Sequence, residues 1–314
     1  MVMANDMEGL AKNFDALNCS PVEIMVKHNR DLFGDFQFTN WGNAFQMLEE
    51  ALAYIRLYGL PKAYILIDEY DNFTNQLLTS YNDPLYEKVT TSDSFLRTFF
   101  KVIKAGIGEG SIRTCFCTGV LPVTMDDLTN GYNITEILTL EPDFLNMLGF
   151  TYKEIEGYLR YILEKYAVGQ EHFDETWQLI VSNYAGYRFH PNGESLFNAT
   201  VFIYFFKNFV VDSNTVLDVL IEENIQTDIN WIRQLTLSLS NVKATLDTLA
   251  INGELFYGLT DLYKKIDKQS IFTIRFYPII LFYWGVVTLK NKYSATFPNE
   301  IIRNELLQSL KIQI

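Results

Sequence analysis

The sequence predicts an α/β protein whose first half holds a parallel sheet and whose second half is mainly helical. Two short apolar runs, AYILI at 63–67 and RTCFCTG at 113–119, flank a stretch with helical spacing. Strand, helix, strand at this spacing is typical of a crossover connection between parallel strands. Helical periodicity dominates after Pro142. We therefore expect the character of the fold to change near residue 142.

Helices are predicted on both sides of the first strand. Apolar residues recur at helical spacing from Asn43 to Leu57, and Gly59 and Pro61 end that helix. A second helix is predicted around Asp93–Lys104, with apolar residues along one side. Residues 1–40 show no clear period, so no element is predicted there.

The strands themselves give more specific expectations. AYILI is short and uniformly apolar, which is typical of a strand covered on both faces of a sheet. ILTL at 137–140 is a candidate third strand. A parallel sheet of at least these strands is therefore predicted for residues 1–142.

The second half is predicted to contain a helical lid region and a small terminal module. Helical segments are predicted at 150–166, 171–184, 196–210, 216–224 and 242–252. The stretch after residue 280 has the order helix, strand, turn at 290–292, strand and helix, which suits a winged-helix-like module. We therefore divide this half into a lid region, 143–260, and a terminal module, 261–314.

Composition describes a folded globular protein. Hydrophobic residues make up 48% of the 314 and aromatic residues 15%. The net charge of −13 argues against a nucleic-acid binder for the chain as a whole. Residues 264–314, however, hold eight Lys or Arg against three acidic residues, a net charge of +5. That segment is a candidate surface for nucleic acid, or for docking on the acidic remainder.

Cysteine usage and hydropathy favour the cytoplasm. Three cysteines in 314 residues do not make a disulfide framework. For Cys115 and Cys117, small buried hydrophobes are favoured over a redox pair. The most apolar stretch, 271–289, is interrupted by Arg275 and Pro278, which leaves 14 uncharged residues from Phe276 to Leu289. A bilayer takes about 20 residues to span. We expect no membrane segment.

Polar residues stand where the first two strands end. Asp68 and Glu69 follow the first strand and Thr118 closes the second, and ligands gather at the carboxyl ends of parallel strands. An acid there can hold Mg²⁺, and a neighbouring Glu can orient a water that attacks a phosphoryl group. Capping of the next helix, or simple exposure to solvent, explains the acids equally well.

Several motifs together give a more specific indication. In order along the chain they are YILIDEYDNF (64–73), TGVLPVTMDDLTNGYNI (118–134), FLNMLGFT (144–151), YAGYRF (184–189), LFYWGVVTL (281–289) and FPNEIIR (297–303). Together they resemble the predicted AAA-ATPase-like family, whose bacterial members often carry a PD-(D/E)XK nuclease-like domain at the C-terminus.

The resemblance implies ATP and Mg²⁺ as cofactors and a role for four residues. Asp68 is similar to the Walker B acid that coordinates Mg²⁺, and Glu69 to the acid that orients the catalytic water. Thr118 is similar to the sensor on the neighbouring strand. Arg188, in YAGYRF, is similar to an arginine that a helical lid brings to the phosphates, with a surface salt bridge as its alternative.

Other acids and the histidines receive simpler interpretations. For Asp71, and for Asp126 and Asp127, stabilisation of loops and turns is favoured over metal ligation. The three histidines show no metal-ligand spacing; they are His28, His172 and His190.

The sequence departs from the family in the phosphate-binding half of the site. It contains no G-x-x-x-x-G-K-[ST] loop, and GIGEGSIR at 106–113 lacks the lysine and follows the Walker B strand. It also contains no motif of the nuclease-like domain. We therefore expect an incomplete P-loop NTPase-like sheet, from a truncated or degenerate ATPase that is inactive by itself. Unpaired sheet edges would invite partner strands or oligomerisation.

Two other functions are compatible with the sequence. One is a non-catalytic interaction module associated with nucleic acid through residues 264–314. The other, weaker, is a metal-dependent phosphoesterase that uses Asp68 and Glu69 together with Asp126 and Asp127.

Overall fold

The protein is described from a computed structural model, in which the chain forms two compact units, Met1–Thr135 and Glu136–Ile314. The structure describes residues 7–71, 85, 88–89, 94–120, 136–166, 171–208, 242–258 and 275–310. In these residues the fold is mixed α/β, with many helices and three small sheets. The predicted divisions at residues 142 and 260 stay predictions.

Four helices are described in the first unit: α1 (Met7–His28), α2 (Arg30–Phe33), α3 (Ala44–Tyr58) and α4 (Phe95–Glu109). Asn43 caps α3 by accepting a hydrogen bond from the Gln46 amide at 3.1 Å, and Ser94 caps α4 in the same way. Both of the longer predicted helices are thus confirmed, with shifted ends. Helix α1 was not predicted, because residues 1–40 show no clear apolar period.

The first sheet consists of two parallel strands, β1 (Ala63–Ile67) and β2 (Ile112–Cys117). Helix α4 connects them, which confirms the predicted crossover. Gly106 of α4 lies close to β2, since a Cβ there would be 2.7 Å from Ile112 Cδ1. The core between the helices and the sheet includes Met47, Leu52, Phe99, Ile103 and Ile112.

The prediction that β1 is covered on both faces is wrong. Tyr64 and Leu66 point to one face and are 67% and 77% exposed, while Ile65 and Ile67 on the other face are half-buried. Successive strand residues alternate between faces, so a layer on one side protects only every second residue. The uniform apolarity of the strand therefore led us to predict more burial than the structure shows.

The predicted strand at 137–140 is also wrong. Leu138–Leu140 forms a turn of 3₁₀ helix, and a second 3₁₀ helix, Pro142–Leu148, follows directly. The Glu141 amide donates to the Leu138 carbonyl at 3.0 Å instead of to a neighbouring strand. Pro142 has no amide hydrogen for a sheet and suits the first position of a helix.

Three helices and a short antiparallel pair begin the second unit: β3 (Gly149–Phe150), α5 (Tyr152–Lys165), α6 (Glu171–Tyr184), β4 (Phe197–Asn198) and α7 (Ala199–Asn208). They confirm the predicted helices at 150–166 and 171–184. The helix predicted from residue 196 begins at Ala199, because Phe197 and Asn198 pair with β3. The helix predicted at 216–224 lies outside the described residues. The core includes Ile155, Leu159, Ile180, Phe197 and Phe205.

The terminal elements are α8 (Val242–Asn252), β5 (Glu254–Phe256), α9 (Tyr277–Tyr283), β6 (Thr288–Leu289), β7 (Ser294–Thr296) and α10 (Glu300–Leu310). From α9 onwards they follow the predicted order of helix, strand, turn, strand and helix. The three strands form an antiparallel sheet in the order β5-β7-β6. Asn291 closes the β6–β7 turn by accepting from the Ser294 amide at 3.0 Å. Within the described ranges, no helix has the length and apolarity needed to cross a membrane.

Candidate functional site

The ends of β1 and β2 meet at one edge of the parallel sheet and bring three of the predicted site residues together. The Thr118 amide donates to the Ile67 carbonyl at 2.8 Å, and the Tyr70 amide donates to the Thr118 carbonyl at 3.0 Å. These bonds continue the ladder by one step beyond the strands. Asp68 and Glu69 therefore lie beside Thr118, and all three side chains are exposed.

The Asp68 carboxylate is held in place by two donors. The Thr118 hydroxyl and the Glu69 amide, the latter at 3.1 Å, both donate to its Oδ1. The first of these bonds joins residues 50 positions apart in the sequence. The predicted Walker B acid and the predicted sensor are therefore in direct contact.

Glu69 has an unusual backbone conformation. Its φ is +51°, in the left-handed region that residues with a Cβ rarely adopt. Such a conformation costs about 1–3 kcal/mol and is found most often at functional sites. The sharp turn places Glu69 directly after the end of β1, with its side chain exposed.

Asp71 connects the two loops at this edge. It is 1% exposed, and its Oδ2 accepts a hydrogen bond from the Val120 amide at 2.9 Å. Gly119 packs so closely that a Cβ there would lie 2.6 Å from Asp71 Oδ1. This geometry agrees with the loop-stabilising interpretation of Asp71. Asp126 and Asp127 lie outside the described residues.

The side chains at this edge suit one half of a magnesium site. Carboxylate and hydroxyl oxygens are ligands that Mg²⁺ prefers, and protein sites often supply one or two carboxylates while a bound phosphate supplies the rest. Among the described residues, no group of three or more His, Cys, Asp or Glu side chains is placed to hold a metal ion. Asp68 and Glu69 carry carboxylates of the kind that could supply one or two ligands to Mg²⁺.

Arg188 lies in the second unit, where it is tied to the terminal sheet. Its amide donates to the Thr288 hydroxyl, and its Nη1 donates to the Lys290 carbonyl at 3.3 Å. Its Nε is buried and makes no hydrogen bond. The guanidinium is thus held by a backbone carbonyl of the β6–β7 turn. Its predicted role at the phosphates stays a prediction.

Comparison with known families identifies the first part of the chain. Residues 1–129 match the family model described as predicted AAA-ATPase. The resemblance is confirmed. The match includes YILIDEYDNF at 64–73 and therefore the edge formed by Asp68, Glu69 and Thr118. Neither the curated proteins nor the solved structures gave a match to this chain.

Two motifs beyond the matched residues, YAGYRF and FPNEIIR, pack against each other. YAGYRF and FPNEIIR meet at Gly186, whose φ is +110° and where a Cβ would lie 1.7 Å from the Pro298 carbonyl oxygen. Asn299 fastens the contact, because its Nδ2 donates to the Ala185 carbonyl at 3.0 Å while its Oδ1 accepts from the Ile302 amide at the start of α10. These motifs hold the terminal module to the helices before it.

Sequence reasoning missed a cleft in the second unit. It has a volume of about 500 Å³ and lies between α5 and α7. Its walls are mainly aromatic and aliphatic: Phe150, Ile155, Tyr158, Phe202, Ile203 and Phe206, with Glu154 and Lys207 at polar positions. The helical periodicity of both segments identified these apolar residues. It could not predict the cleft, because the space between two helices depends on how they pack.

Proposed function

We propose that this chain supplies the magnesium-binding side of a nucleotide site in a AAA-ATPase-like protein. The observation that carries the proposal is the hydrogen bond from the Thr118 hydroxyl to Asp68 at the shared edge of β1 and β2. The family match over residues 1–129 gives the edge its chemical context.

Each residue has a distinct task in this proposal. Asp68 binds Mg²⁺ directly or through its waters, and the Thr118 hydroxyl fixes the carboxylate and senses the terminal phosphate. Glu69 orients the attacking water and accepts its proton. When bound, Mg²⁺ neutralises phosphate charge and holds the phosphate oxygens in position.

The sequence contains no loop that would cradle the phosphates. The one glycine-rich stretch, GIGEGSIR, covers the end of α4 and the start of β2, where Ile112 pairs with Ala63. That is the opposite end of the strand from Thr118, roughly 20 Å away at about 3.3 Å per residue. The chain alone is therefore expected to bind Mg-ATP more weakly than micromolar and not to hydrolyse it.

Calorimetry and NMR test the proposal. Titration of the full chain with Mg-ATP should show affinity weaker than micromolar, and Mn²⁺ should broaden the amide signals of Asp68, Glu69 and Thr118. Asp68→Asn should remove the broadening, whereas Asp143→Asn, at an exposed acid of the second unit, should leave it. Micromolar affinity for Mg-ATP, abolished by Asp68→Ala, would contradict the expectation that the chain binds Mg-ATP weakly without a phosphate-binding loop. Broadening that survives Asp68→Asn would contradict the metal role.

A second candidate function, nucleic-acid association, is favoured by one feature of the terminal module. The sheet order β5-β7-β6, with a hairpin after α9, supports the winged-helix-like module that the order of elements predicted. The hairpin turn exposes Lys292 and Tyr293, while Lys290 forms an ion pair with Glu254 at 3.0 Å. Electrostatic retention of the full chain on DNA should fall steeply with salt and weaken with Lys292→Ala. Retention that ignores salt would argue against this function.

A further inference from the structure

Two thiols lie side by side on β2, next to the candidate site. Cys115 and Cys117 are alternate residues of the strand, and their Sγ atoms are 3.6 Å apart. Both side chains are half-buried and both cysteines are free. They are therefore partly open to solvent, in contrast to the fully buried small hydrophobes that the sequence favoured.

The contact makes the two thiols unequal. The hydrogen bond between the two thiols, in which either sulfur can donate, lowers the pKa of Cys115 against the opposing effect of its partial burial. The same hydrogen bond, together with burial, raises the pKa of Cys117. The thiolate form is therefore favoured at Cys115 over Cys117. Two adjacent thiols that are partly open to solvent and differ in acidity are the arrangement of reversible redox sites.

We propose that Cys115 and Cys117 form a reversible oxidation site for hydroperoxides. The Cys115 thiolate attacks hydrogen peroxide, which gives a sulfenic acid on Cys115 and releases hydroxide, protonated to water. The Cys117 sulfur then attacks the Cys115 sulfur, loses its proton and expels a second water. The two sulfurs give up two electrons to the peroxide, and an S–S bond replaces two S–H bonds.

Closure of this bond must bend the strand. Alternate residues of a parallel strand have Cα atoms about 6.6 Å apart, at the upper end of the range that a disulfide spans. The bond therefore draws the two residues together and shortens β2 locally. Strained disulfides are the more easily reduced ones, so ordinary cellular thiols should reverse the reaction.

The bend would reach the candidate site directly. Cys117 precedes Thr118, whose amide donates to the Ile67 carbonyl at 2.8 Å and whose hydroxyl donates to Asp68. Oxidation is expected to move Thr118 away from Asp68. This consequence rests on the proposed function of the edge, whereas formation of the disulfide does not.

Mass spectrometry of the full chain tests the oxidation site. The protein is treated with hydrogen peroxide, blocked with N-ethylmaleimide and digested. The expected product is a peptide that contains both cysteines, has lost two hydrogens, carries no maleimide and regains both thiols with dithiothreitol. Two blocked thiols, a Cys115 oxidised to the sulfinic acid, or a bridge to Cys19 would each overturn the proposal.

Single variants separate the two cysteines. In Cys117→Ser the sulfenic acid on Cys115 should persist and react with dimedone, whereas Cys115→Ser should give little such adduct at Cys117. Cys19→Ser is the matched control and should form the disulfide like the wild type. Equal dimedone labelling of the two single variants would contradict the assigned roles.

A measurement of Mn²⁺ binding separates the oxidation site from the proposed metal site, on which only the predicted effect of the Thr118 movement depends. Mn²⁺ broadening at Asp68 should weaken in the oxidised protein and return after reduction. A disulfide that forms without changing this broadening would overturn the predicted movement of Thr118. Absence of broadening in the reduced protein as well would overturn the metal site, while the mass measurement would still decide the oxidation site.

Discussion

Glu69 has the only positive φ among the described residues other than glycine. A glutamate at +51° keeps a Cβ in a conformation that costs about 1–2 kcal/mol for an L-residue. Such a cost persists only where the surrounding bonds fix the chain. The Tyr70 amide bond to the Thr118 carbonyl, at 3.0 Å, is one of these constraints.

Substitutions at Glu69 should reveal this conformation. Glu69→Gly should be more stable to chemical unfolding than Glu69→Ala by about 1 kcal/mol, because glycine tolerates positive φ. At Glu156, inside α5, the order should reverse by a similar amount, since alanine is the better helix former. If alanine were more stable than glycine at Glu69 as well as at Glu156, Glu69 would not be in the left-handed region.

Gly186 should be the least replaceable of the described glycines in the second unit. Alanine there would place a Cβ 1.7 Å from the Pro298 carbonyl oxygen at a φ of +110°. Gly186→Ala should therefore lower the free energy of unfolding by at least about 3 kcal/mol. Gly157→Ala, on an exposed part of α5 with open space around it, should raise it by about 0.5–1 kcal/mol. A mild effect at Gly186 would contradict the contact between the two motifs.

At the scale of elements, α5 has the best-defined beginning. Thr151 donates from its amide and its hydroxyl to Glu154, both at 2.8 Å, and its hydroxyl accepts from the Glu154 amide. These bonds, the amide bond first, lower the pKa of the Glu154 carboxyl. The charged form is thus favoured in the folded state.

This cap predicts a pH dependence. A carboxyl whose pKa is lowered by folding stabilises the protein above its unfolded pKa, and that stability is lost as pH falls through the folded pKa. Glu154→Gln should lower the free energy of unfolding at neutral pH by roughly 0.3–1 kcal/mol. The difference from wild type should shrink below about pH 4.3, the ordinary pKa of a glutamate. Denaturation at several pH values measures this difference, and the same measurement on Glu164→Gln, at the other end of α5, is the matched comparison.

At the scale of the whole molecule, the parallel sheet presents an apolar face to solvent. Leu66 is 77% exposed, and parallel sheets are generally covered on both sides. Because this side chain is exposed, Leu66→Thr should change the free energy of unfolding by less than about 0.5 kcal/mol. Ile103→Ala, in the core of the same unit, should cost about 2–5 kcal/mol. A cost for Leu66→Thr close to that of Ile103→Ala would show that the face is covered in solution.

The sequence by itself determined the local elements and the composition of the candidate site. Helical spacing located α3, α5 and α6 because burial on one face imposes that period. Two apolar runs joined by a helix implied parallel strands whose ends share an edge. This arrangement predicted that Asp68 and Thr118 lie close together. The family resemblance rested on the same residues.

Only the tertiary structure decided what depends on contacts between distant residues. It showed that Leu66 is exposed, that residues 138–140 turn instead of pairing, and that the Thr118 hydroxyl binds Asp68. It also set the 3.6 Å separation between Cys115 and Cys117. Periodicity records which residues are apolar, whereas burial and hydrogen-bond geometry depend on what packs against them.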